Sequence, residues 1–569
     1  MKLRTVHIEN FKCFLDSIIR LRDINCVIGE NSSGKTALMQ ALDLTLGHKN
    51  PTRRSFSDPE VPVRITLEFT ELEDREAGLV REFVQDDRLV VAWEWVQRQQ
   101  SKPKIVAVTQ RLCDSSGTLP RHLRKDTEPA VPRHLVSSLP AFYQIPPVYH
   151  FEDILKTDDR ADPLSRGVSG SLSDASNRLR ESIQSTIHDF LNHYCLQDLQ
   201  EIEDVIEVVS EFQEITIKPK MRIEGQVEPE ISLHLSVYDG IESDLQLKGH
   251  GLQRLVLYGQ LIATIRQQER ERRARNKPPR SYVIGLEEIE LYLHPMYRSI
   301  MLNQLKSLAC REQFQVLYTS HSPSMIDVFD LESVIRLSRA QGHSEAYQIS
   351  YTALANKANA FLGENAATDV SVRERVGEIL DVETCQSLFA RQVIIVEGNT
   401  ERYVLPELFG AAGFGFERHG IAIVSAGGKG NIDKLIFLME QFGIPYFVIF
   451  DQDISTTDTA SRRQSDNLRE LLGIPSEFAS FRIGEKYCVF EEDFEHTFCR
   501  LYPGWTELDQ EAKRLIGAKG GSGKGLRAKY ASRQVAGLIE QQDPTTRELR
   551  SFMDLLCNAI NKVAKITSS

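Results

Sequence analysis

The sequence predicts an α/β protein with two separate parallel-sheet units, and three observations predict it. Short apolar runs at 24–28, 282–286 and 314–319 each end in a turn of glycine or chemistry-bearing polar residues. After about residue 385 the pattern recurs, with runs at 393–396, 421–424 and 446–450. Stretches that read as helices, such as 37–46 and 402–409, follow some of these strands, as in strand–helix–strand units. Sheets of this kind bind ligands beyond the carboxyl ends of their strands, so the turns carry the functional reading.

Taken in order, residues 2–22 alternate polar and apolar side chains (Leu3, Val6, Ile8, then Phe11, Phe14, Ile18), as strands of a half-buried sheet do. Gly29-Glu30-Asn31-Ser32-Ser33-Gly34-Lys35-Thr36 then fits G-x-x-x-x-G-K-[ST]. A buried strand, Ile24 to Ile28, precedes it and a helix, Ala37 to Leu46, follows. In that setting the backbone around Gly29, Asn31, Ser32, Ser33 and Gly34 turns N–H groups onto phosphates. Lys35 neutralises the β/γ-phosphates and Thr36 offers its hydroxyl to Mg²⁺, so ATP or GTP is the expected ligand.

Val63 to Phe69, Arg88 to Val96 and Lys104 to Leu112 alternate again and read as a flanking antiparallel sheet. Residues 113–147, rich in Pro, Ser, Arg and His, read as loop. Leu179, Ile183, Ile187, Phe190, Leu191 and Tyr194 recur at three and four, an amphipathic helix within a helical insertion reaching about residue 225. Core packing and a dimer contact both explain its apolar face.

Ile231 to Val237 is a further strand, followed by Leu247-Lys248-Gly249-His250-Gly251, a Gly-rich turn opening a long helix. Gly249 and Gly251 at such a helix start can present N–H groups to an anion. The Arg- and Lys-dense run from Arg266 to Arg280 reads as a solvated helix face or as a phosphate-contacting patch. Tyr282 to Leu286 is an apolar strand ending in Glu287 and Glu288. The chemistry needs one carboxylate beside Mg²⁺, assigned to Glu287, and one to orient the attacking water, assigned to Glu288. Leu293-His294-Pro295 follows, then the strand Phe314 to Thr319 and Ser320-His321-Ser322-Pro323, which puts His321 within reach of a γ-phosphate.

That order of phosphate loop, Gly-rich turn, Glu-Glu strand, L-H-P and T-S-H-S-P resembles an ABC-type ATPase of the SMC-like branch. The resemblance implies a nucleotide sandwiched between two head domains. Glu287 stands where that family usually has Asp, and Ile289 where it often has Pro. A longer carboxylate at 287 implies contact with Mg²⁺ through water.

In the second unit Val393 to Val396 ends in Glu397-Gly398-Asn399-Thr400-Glu401, Ile421 to Val424 in Ser425-Ala426-Gly427-Gly428-Lys429-Gly430-Asn431, and Tyr446 to Phe450 in Asp451-Gln452-Asp453. Glu397, Glu401, Asp451 and Asp453 thus fall at or just past strand ends. Carboxylates gathered there repel one another unless cations lie between them, and hard oxygen ligands favour Mg²⁺ or Mn²⁺. The pair V-E-G-x-T-E and D-x-D resembles a Toprim domain.

A Toprim domain directly after an SMC-like ATPase resembles the OLD (overcoming lysogenization defect) family of ATP-dependent nucleases, to which those of Gabija-type anti-phage defence also belong. The motifs carrying it run from 29 to 323 and from 397 onward. The resemblance implies an ATPase domain at 1–150 and 226–385, the insertion and a dimerisation region at 151–225, and a Toprim nuclease domain with basic C-terminal helices at 386–569. It further implies DNA as substrate, a homodimer or higher homo-oligomer through the ATPase region, and, for a Gabija-type complex, a partner helicase. One Mg²⁺ is implied with ATP and two ions (Mg²⁺ or Mn²⁺) at the Toprim centre.

Glu397, Asp451 and Asp453 would hold one ion of the pair. A carboxylate near Glu401 and acidic residues of Glu491-Glu492-Asp493-Phe494-Glu495, with Asp493 and Glu495 favoured, would hold the second. A catalytic lysine is also implied; Lys513, Lys519, Lys524 and Lys529 compete for it, and Lys524, in Gly523-Lys524-Gly525 before a basic helix, is preferred.

Composition is compatible with all of this. Hydrophobic residues are 41% and charged residues 26% of 569, an ordinary folded protein too long for one core. No apolar run approaches the ~20 residues of a membrane span, and Met1 to Ile8 has no signal-peptide core. Nine cysteines without a C-x-x-C pair argue against a zinc ribbon or disulfide framework and suit a cytoplasmic setting. The net charge of −12 does not advertise nucleic-acid binding, although a basic groove can sit on an acidic protein. A different class therefore stays open: a non-cleaving, ATP-switched DNA-binding or assembly protein whose Toprim carboxylates serve metal-dependent binding.

Overall fold

The computed structural model describes residues 1–72, 84–96, 104–107, 136, 138–145, 216–224, 230–238, 242–244, 250–275, 280–291, 293–363, 367–475, 480–516 and 523–566. They form two compact units, one of residues 1–27 and 34–325, the other of 28–33 and 326–569.

In the first unit, β1 (Lys2–Phe11) lies between antiparallel β2 (Phe14–Arg20) and β4 (Val63–Thr70), with β3 (Ile24–Gly29) and α1 (Lys35–Thr45) intervening in sequence. β5 (Val84–Gln85), β6 (Arg88–Trp95) and β7 (Lys104–Ala107) extend this sheet beyond β4. Its alternation is the one expected: Val63, Ile65, Leu67 and Phe69 are buried while Arg64, Glu68 and Thr70 between and after them are less so.

β3 belongs to a second sheet, where β13 (Phe314–Thr319) pairs with it in parallel, β12 (Tyr282–Leu286) pairs with β13, and β8 (Ala141–Ile145) with β12. Every residue of β12 and β13 is buried; β12 is apolar throughout, and β13 carries Gln315 and Thr319 among its apolar residues. β8 corrects the reading of 113–147 as loop: Ala141 to Ile145 align with Tyr282 to Leu286. Five residues flanked by Pro- and Ser-rich sequence are too short a run to stand out. The two sheets are tied at β1 and β13. Lys2 Nζ donates to the Phe314 carbonyl (2.9 Å), and Gln315 both accepts from Leu3 N–H (2.7 Å) and donates to its carbonyl (2.9 Å).

β9 (Thr216–Glu224), β10 (Glu230–Tyr238) and β11 (Glu242–Asp244) form an antiparallel three-stranded sheet. The amphipathic helix expected through Leu179 to Tyr194 lies outside the described residues; within 151–225 only 216–224 are described, and they are strand. α2 (His250–Ala274) begins within the Gly-rich run, with Gly251 in its first turn and Gly249 outside the described residues. α3 (Pro295–Ala309) follows β12, its proline at the first position and the His294 ring accepting from Met296 N–H.

The second unit contains the hairpin β14 (Val334–Ala340) and β15 (His343–Tyr347), then α4 (Tyr351–Leu362) and α5 (Asp369–Ile379). Beyond them come β16 (Gln392–Val396), α6 (Asn399–Ala411), β17 (Ile421–Ser425), α7 (Ile432–Gln441), β18 (Tyr446–Asp451) and α8 (Thr459–Leu472). The chain closes with β19 (Phe481–Ile483), β20 (Tyr487–Phe490), α9 (Phe494–Leu501), α10 (Trp505–Ile516), α11 (Lys524–Glu540) and α12 (Arg547–Ile566). The strand order is β17-β16-β18-β20-β19, parallel except for β19 at the edge. Val404, Phe409, Phe490, Phe494, Phe498 and Phe552 help fill one continuous core among this sheet and the helices.

Arg336 of β14 fastens the hairpin to this domain. Its buried guanidinium donates to the carbonyls of Leu388 (3.2 Å), Phe442 (3.0 Å) and Ala390 (3.1 Å). Among the described residues no helix is long and apolar enough to cross a membrane.

Candidate active site

Each of the two sheets with parallel strands places chemistry-bearing residues at the carboxyl ends of those strands. In the first unit α1 opens at Gly34, whose φ of +107° is left-handed, and Lys35 beyond it is buried. Thr36 Oγ1 donates to Glu287 Oε2 (2.8 Å), and Gln144 at the end of β8 donates to the other oxygen of Glu287. Glu287 is buried, so strand-end geometry brings together the hydroxyl and carboxylate that the sequence paired for Mg²⁺. Glu288 takes a left-handed φ of +46° while its N–H donates to Thr319 Oγ1 (2.8 Å). That turn sets its carboxylate 3.9 Å from His321 Nε2. His321 N–H donates to Glu290 Oε1 (2.6 Å), and burial, with Lys35 nearby, pushes the imidazole pKa down. Gln144 was not legible as a site residue because its strand was read as loop.

Gly29 to Ser33 group with the second unit. Gly29 has a φ of +149°, and a Cβ there would meet the Leu337 carbonyl oxygen at 2.2 Å, so only glycine fits. Ser32 is also left-handed, at +64°, and Ser33 N–H donates to the Glu30 carbonyl (3.2 Å). Asn31 is exposed. In the same unit the Arg391 guanidinium, one residue before β16, donates to both oxygens of Glu30 (2.7 and 3.1 Å).

The acidic centre lies at the ends of β16 and β18. Glu397 follows β16 directly and accepts from Asp451 N–H (3.2 Å), which joins the two strand ends. Glu401, in the first turn of α6, accepts from Gly398 N–H (3.1 Å) and is 5% exposed. Burial is the main cause of its carboxyl being pushed up to about 7, with the charges of Glu397 and Glu495 adding to it. Glu397 is raised for the same reason, against the pull of Lys429. Asp451 is held well above the usual carboxylate range, first by burial and then by Glu401, Glu397, Glu495 and Asp453.

Asp453 takes a left-handed φ of +52°, its N–H bonded to the Glu492 carbonyl (3.1 Å) and its Oδ2 to Lys429 Nζ (2.7 Å). Asp493 caps α9 by accepting from His496 N–H (2.6 Å), and a cleft of about 460 Å³ is lined by Ser455, Glu491, Glu492, Asp493, His496 and Arg500. Glu495 faces Lys524, the first residue of α11, at 2.8 Å.

Of the competing lysines among the described residues, Lys524 is the one placed beside these carboxylates. Burial works against its charge, and Glu495 and Asp493 outweigh that and raise its pKa. Lys529 instead sits 5.5 Å from the centre of the Tyr403 ring, Lys513 lies in the last turn of α10, and Lys519 is outside the described residues.

The donor set suits a hard divalent cation. Asp451 Oδ1 is buried with no hydrogen-bond partner while several carboxylates press upon it, the imbalance that a cation relieves. Among the described residues no three Asp, Glu, His or Cys side chains are gathered closely enough to hold an ion as placed. Each of Glu397, Glu401, Asp453 and Glu495 is turned to its own N–H or lysine partner instead.

Comparison with known proteins agrees with both halves. Residues 388–453 match the family described as overcoming lysogenization defect protein-like, TOPRIM domain, and residues 1–119 and 148–326 match the AAA ATPase domain. The chain is 24% identical to the OLD nuclease of Thermus scotoductus over 494 residues, covering 82% of this chain and 85% of that protein. It is 23% identical to the Old nuclease of Escherichia phage P2, covering 80% and 77%. A solved structure of an SmcHead bound to the C-winged helix domain of ScpA covers 62% of this chain and 98% of its own, at 12% identity and a TM-score of 0.39. With that ATPase match over more than half its length, the chain belongs to the AAA ATPase domain family, and an OLD-like Toprim domain follows it at residues 388–453.

Proposed function

We propose that the protein is an ATP-binding and ATP-hydrolysing DNA endonuclease, dependent on divalent metal, that hydrolyses phosphodiester bonds at the Toprim centre under control of the ATPase domain. The observation carrying this reading is the buried acidic centre at the ends of β16 and β18, with the unpartnered Asp451 Oδ1 inside it and Lys524 at its edge. Glu397, Asp451 and Asp453 would hold one Mg²⁺ or Mn²⁺, and Glu401 with Glu495 and Asp493 the second; such a pair would supply activation of the attacking water and stabilisation of the leaving oxygen in an in-line displacement. Lys524 supplies a fixed positive charge against the charge that grows on the scissile phosphate.

In the ATPase domain Lys35 and the N–H groups of the phosphate loop bind the triphosphate, Thr36 and Glu287 serve its Mg²⁺, and Glu288 orients the attacking water beside His321. The bidentate contact from Glu30 to Arg391 supports control of the nuclease, since it links the phosphate loop to the residue that enters β16. The reading extends to a homodimer through the ATPase region and to anti-phage defence. Supercoiled plasmid incubated with Mn²⁺ tests it: wild type should nick or cut and Glu397→Ala should not. Cutting by Glu397→Ala at the wild-type rate would refute the assignment.

A further inference from the structure

The acidic centre contains a cation of the protein's own. Lys429 leaves the turn after β17, where Gly427 and Gly428 take φ of +68° and +141°. It looks like a solvent-facing turn lysine, yet its side chain is 3% exposed. Nζ donates to Asp453 Oδ2 at 2.7 Å and to Ser465 Oγ at 3.0 Å, and Ser465 Oγ donates to the Gln452 carbonyl at 2.9 Å. Two protons of one ammonium thus hold the Asp451-Gln452-Asp453 turn, one directly and one through α8. A buried ammonium is retained only where it is paired and hydrogen-bonded, and both conditions are met.

We propose that Lys429 is a positioning residue, a built-in counter-cation that claims one oxygen of Asp453, fixes that carboxylate's orientation, and lowers the negative charge the centre presents to divalent ions. The proposal rests on the carboxylates being the metal site. It predicts two effects of opposite sign. Without the ammonium the centre carries one more uncompensated negative charge, so divalent ions bind more tightly. Asp453 is then free to leave the orientation that turnover requires, so turnover falls. Loss of structure alone would weaken both.

The test uses the full chain without nucleotide: wild type, Lys429→Met, Asp453→Asn, the double variant, and Glu397→Ala. Mn²⁺ binding is measured by calorimetry, melting temperature by scanning fluorimetry, and plasmid nicking as a function of Mn²⁺ concentration. Lys429→Met should bind Mn²⁺ on the order of tenfold more tightly. Its maximal nicking rate should fall by about tenfold or more. Asp453→Asn strands Lys429 as an unpaired buried charge and should melt lower than wild type. Adding Lys429→Met to it should recover much of that loss, so the two substitutions are strongly non-additive. If Lys429→Met alone does not fold, the double variant still decides, because it removes both charges and should fold better than Asp453→Asn.

Unchanged or weaker Mn²⁺ binding by Lys429→Met, or purely additive melting shifts, overturns the proposal. Absence of Mn²⁺ binding by wild type, or wild-type binding by Glu397→Ala, overturns the metal-site reading beneath it, so the two failures are distinguishable.

Discussion

Lys524→Met separates a chemical from a structural role. Lys524 Nζ lies 2.8 Å from Glu495 Oε1, but its side chain is 58% exposed. An ion pair so open to water contributes less than about 1 kcal/mol to stability. In a unit of this size that shifts the melting temperature by roughly 2–4 °C at most. Methionine keeps most of the aliphatic stem, so packing against Glu495 is little changed. Removing one preorganised charge from beside a developing anion instead costs about 10²- to 10³-fold in rate.

The expected outcome is therefore a loss of plasmid nicking of about 100-fold at saturating Mn²⁺, with the melting transition nearly in place and Mn²⁺ binding retained. Lys513→Met and Lys529→Met, whose side chains the structure does not bring to the carboxylates, should nick at close to the wild-type rate. Single-turnover nicking beside a melting curve decides it. A loss of less than about threefold, or a loss matched by a collapse of the melting transition, would refute the assignment.

Other perturbations follow from the geometry. Arg336→Met should destabilise the second unit by about 2–4 kcal/mol, read by thermal or urea melting, because three buried carbonyls lose a charged donor; Arg336→Lys should recover little, since one ammonium does not reproduce the fork. Gly29→Ala should abolish ATP binding in a filter assay, because its Cβ would sit 2.2 Å from the Leu337 carbonyl at a φ of +149°. Glu287→Ala should lower ATP hydrolysis by about 10²-fold or more, since Thr36 and Gln144 lose their common partner.

Most of the fold was legible because buried parallel strands advertise themselves as apolar runs, and their carboxyl ends carry glycine or acid. Thus 282–286, 314–319, 393–396 and 446–450 are strands in the structure and Glu287, Glu288, Glu397 and Asp451 stand at their ends. β8 was not legible, because four apolar residues interrupted by Gln144, inside a Pro- and Arg-rich stretch, do not make a periodic signal. Gln144 went unread with it. Spacing could not place the competing lysines either; Lys524 comes to Glu495 because α11 packs on α6, with a Cβ at Gly525 only 3.0 Å from the Tyr403 ring. The partners of Lys429 and Arg336 were hidden for a simpler reason. Each is a charged residue whose partners lie far along the chain, 24 residues away for Asp453 and 106 for Phe442. Sequence alone gives such residues to solvent.

Two chemical centres in one chain is the central claim, and one paired measurement tests it. ATP hydrolysis and plasmid cleavage are followed on the same preparations of wild type, Lys35→Ala and Glu397→Ala, with Mg²⁺ or Mn²⁺ and with or without ATP. The account predicts that Lys35→Ala loses hydrolysis and the response of cleavage to ATP while retaining metal-dependent cutting, and that Glu397→Ala hydrolyses ATP but does not cut. Cutting by Glu397→Ala at the wild-type rate, or no cutting by wild type under any of these conditions, would contradict it and leave an ATP-switched binding protein in its place.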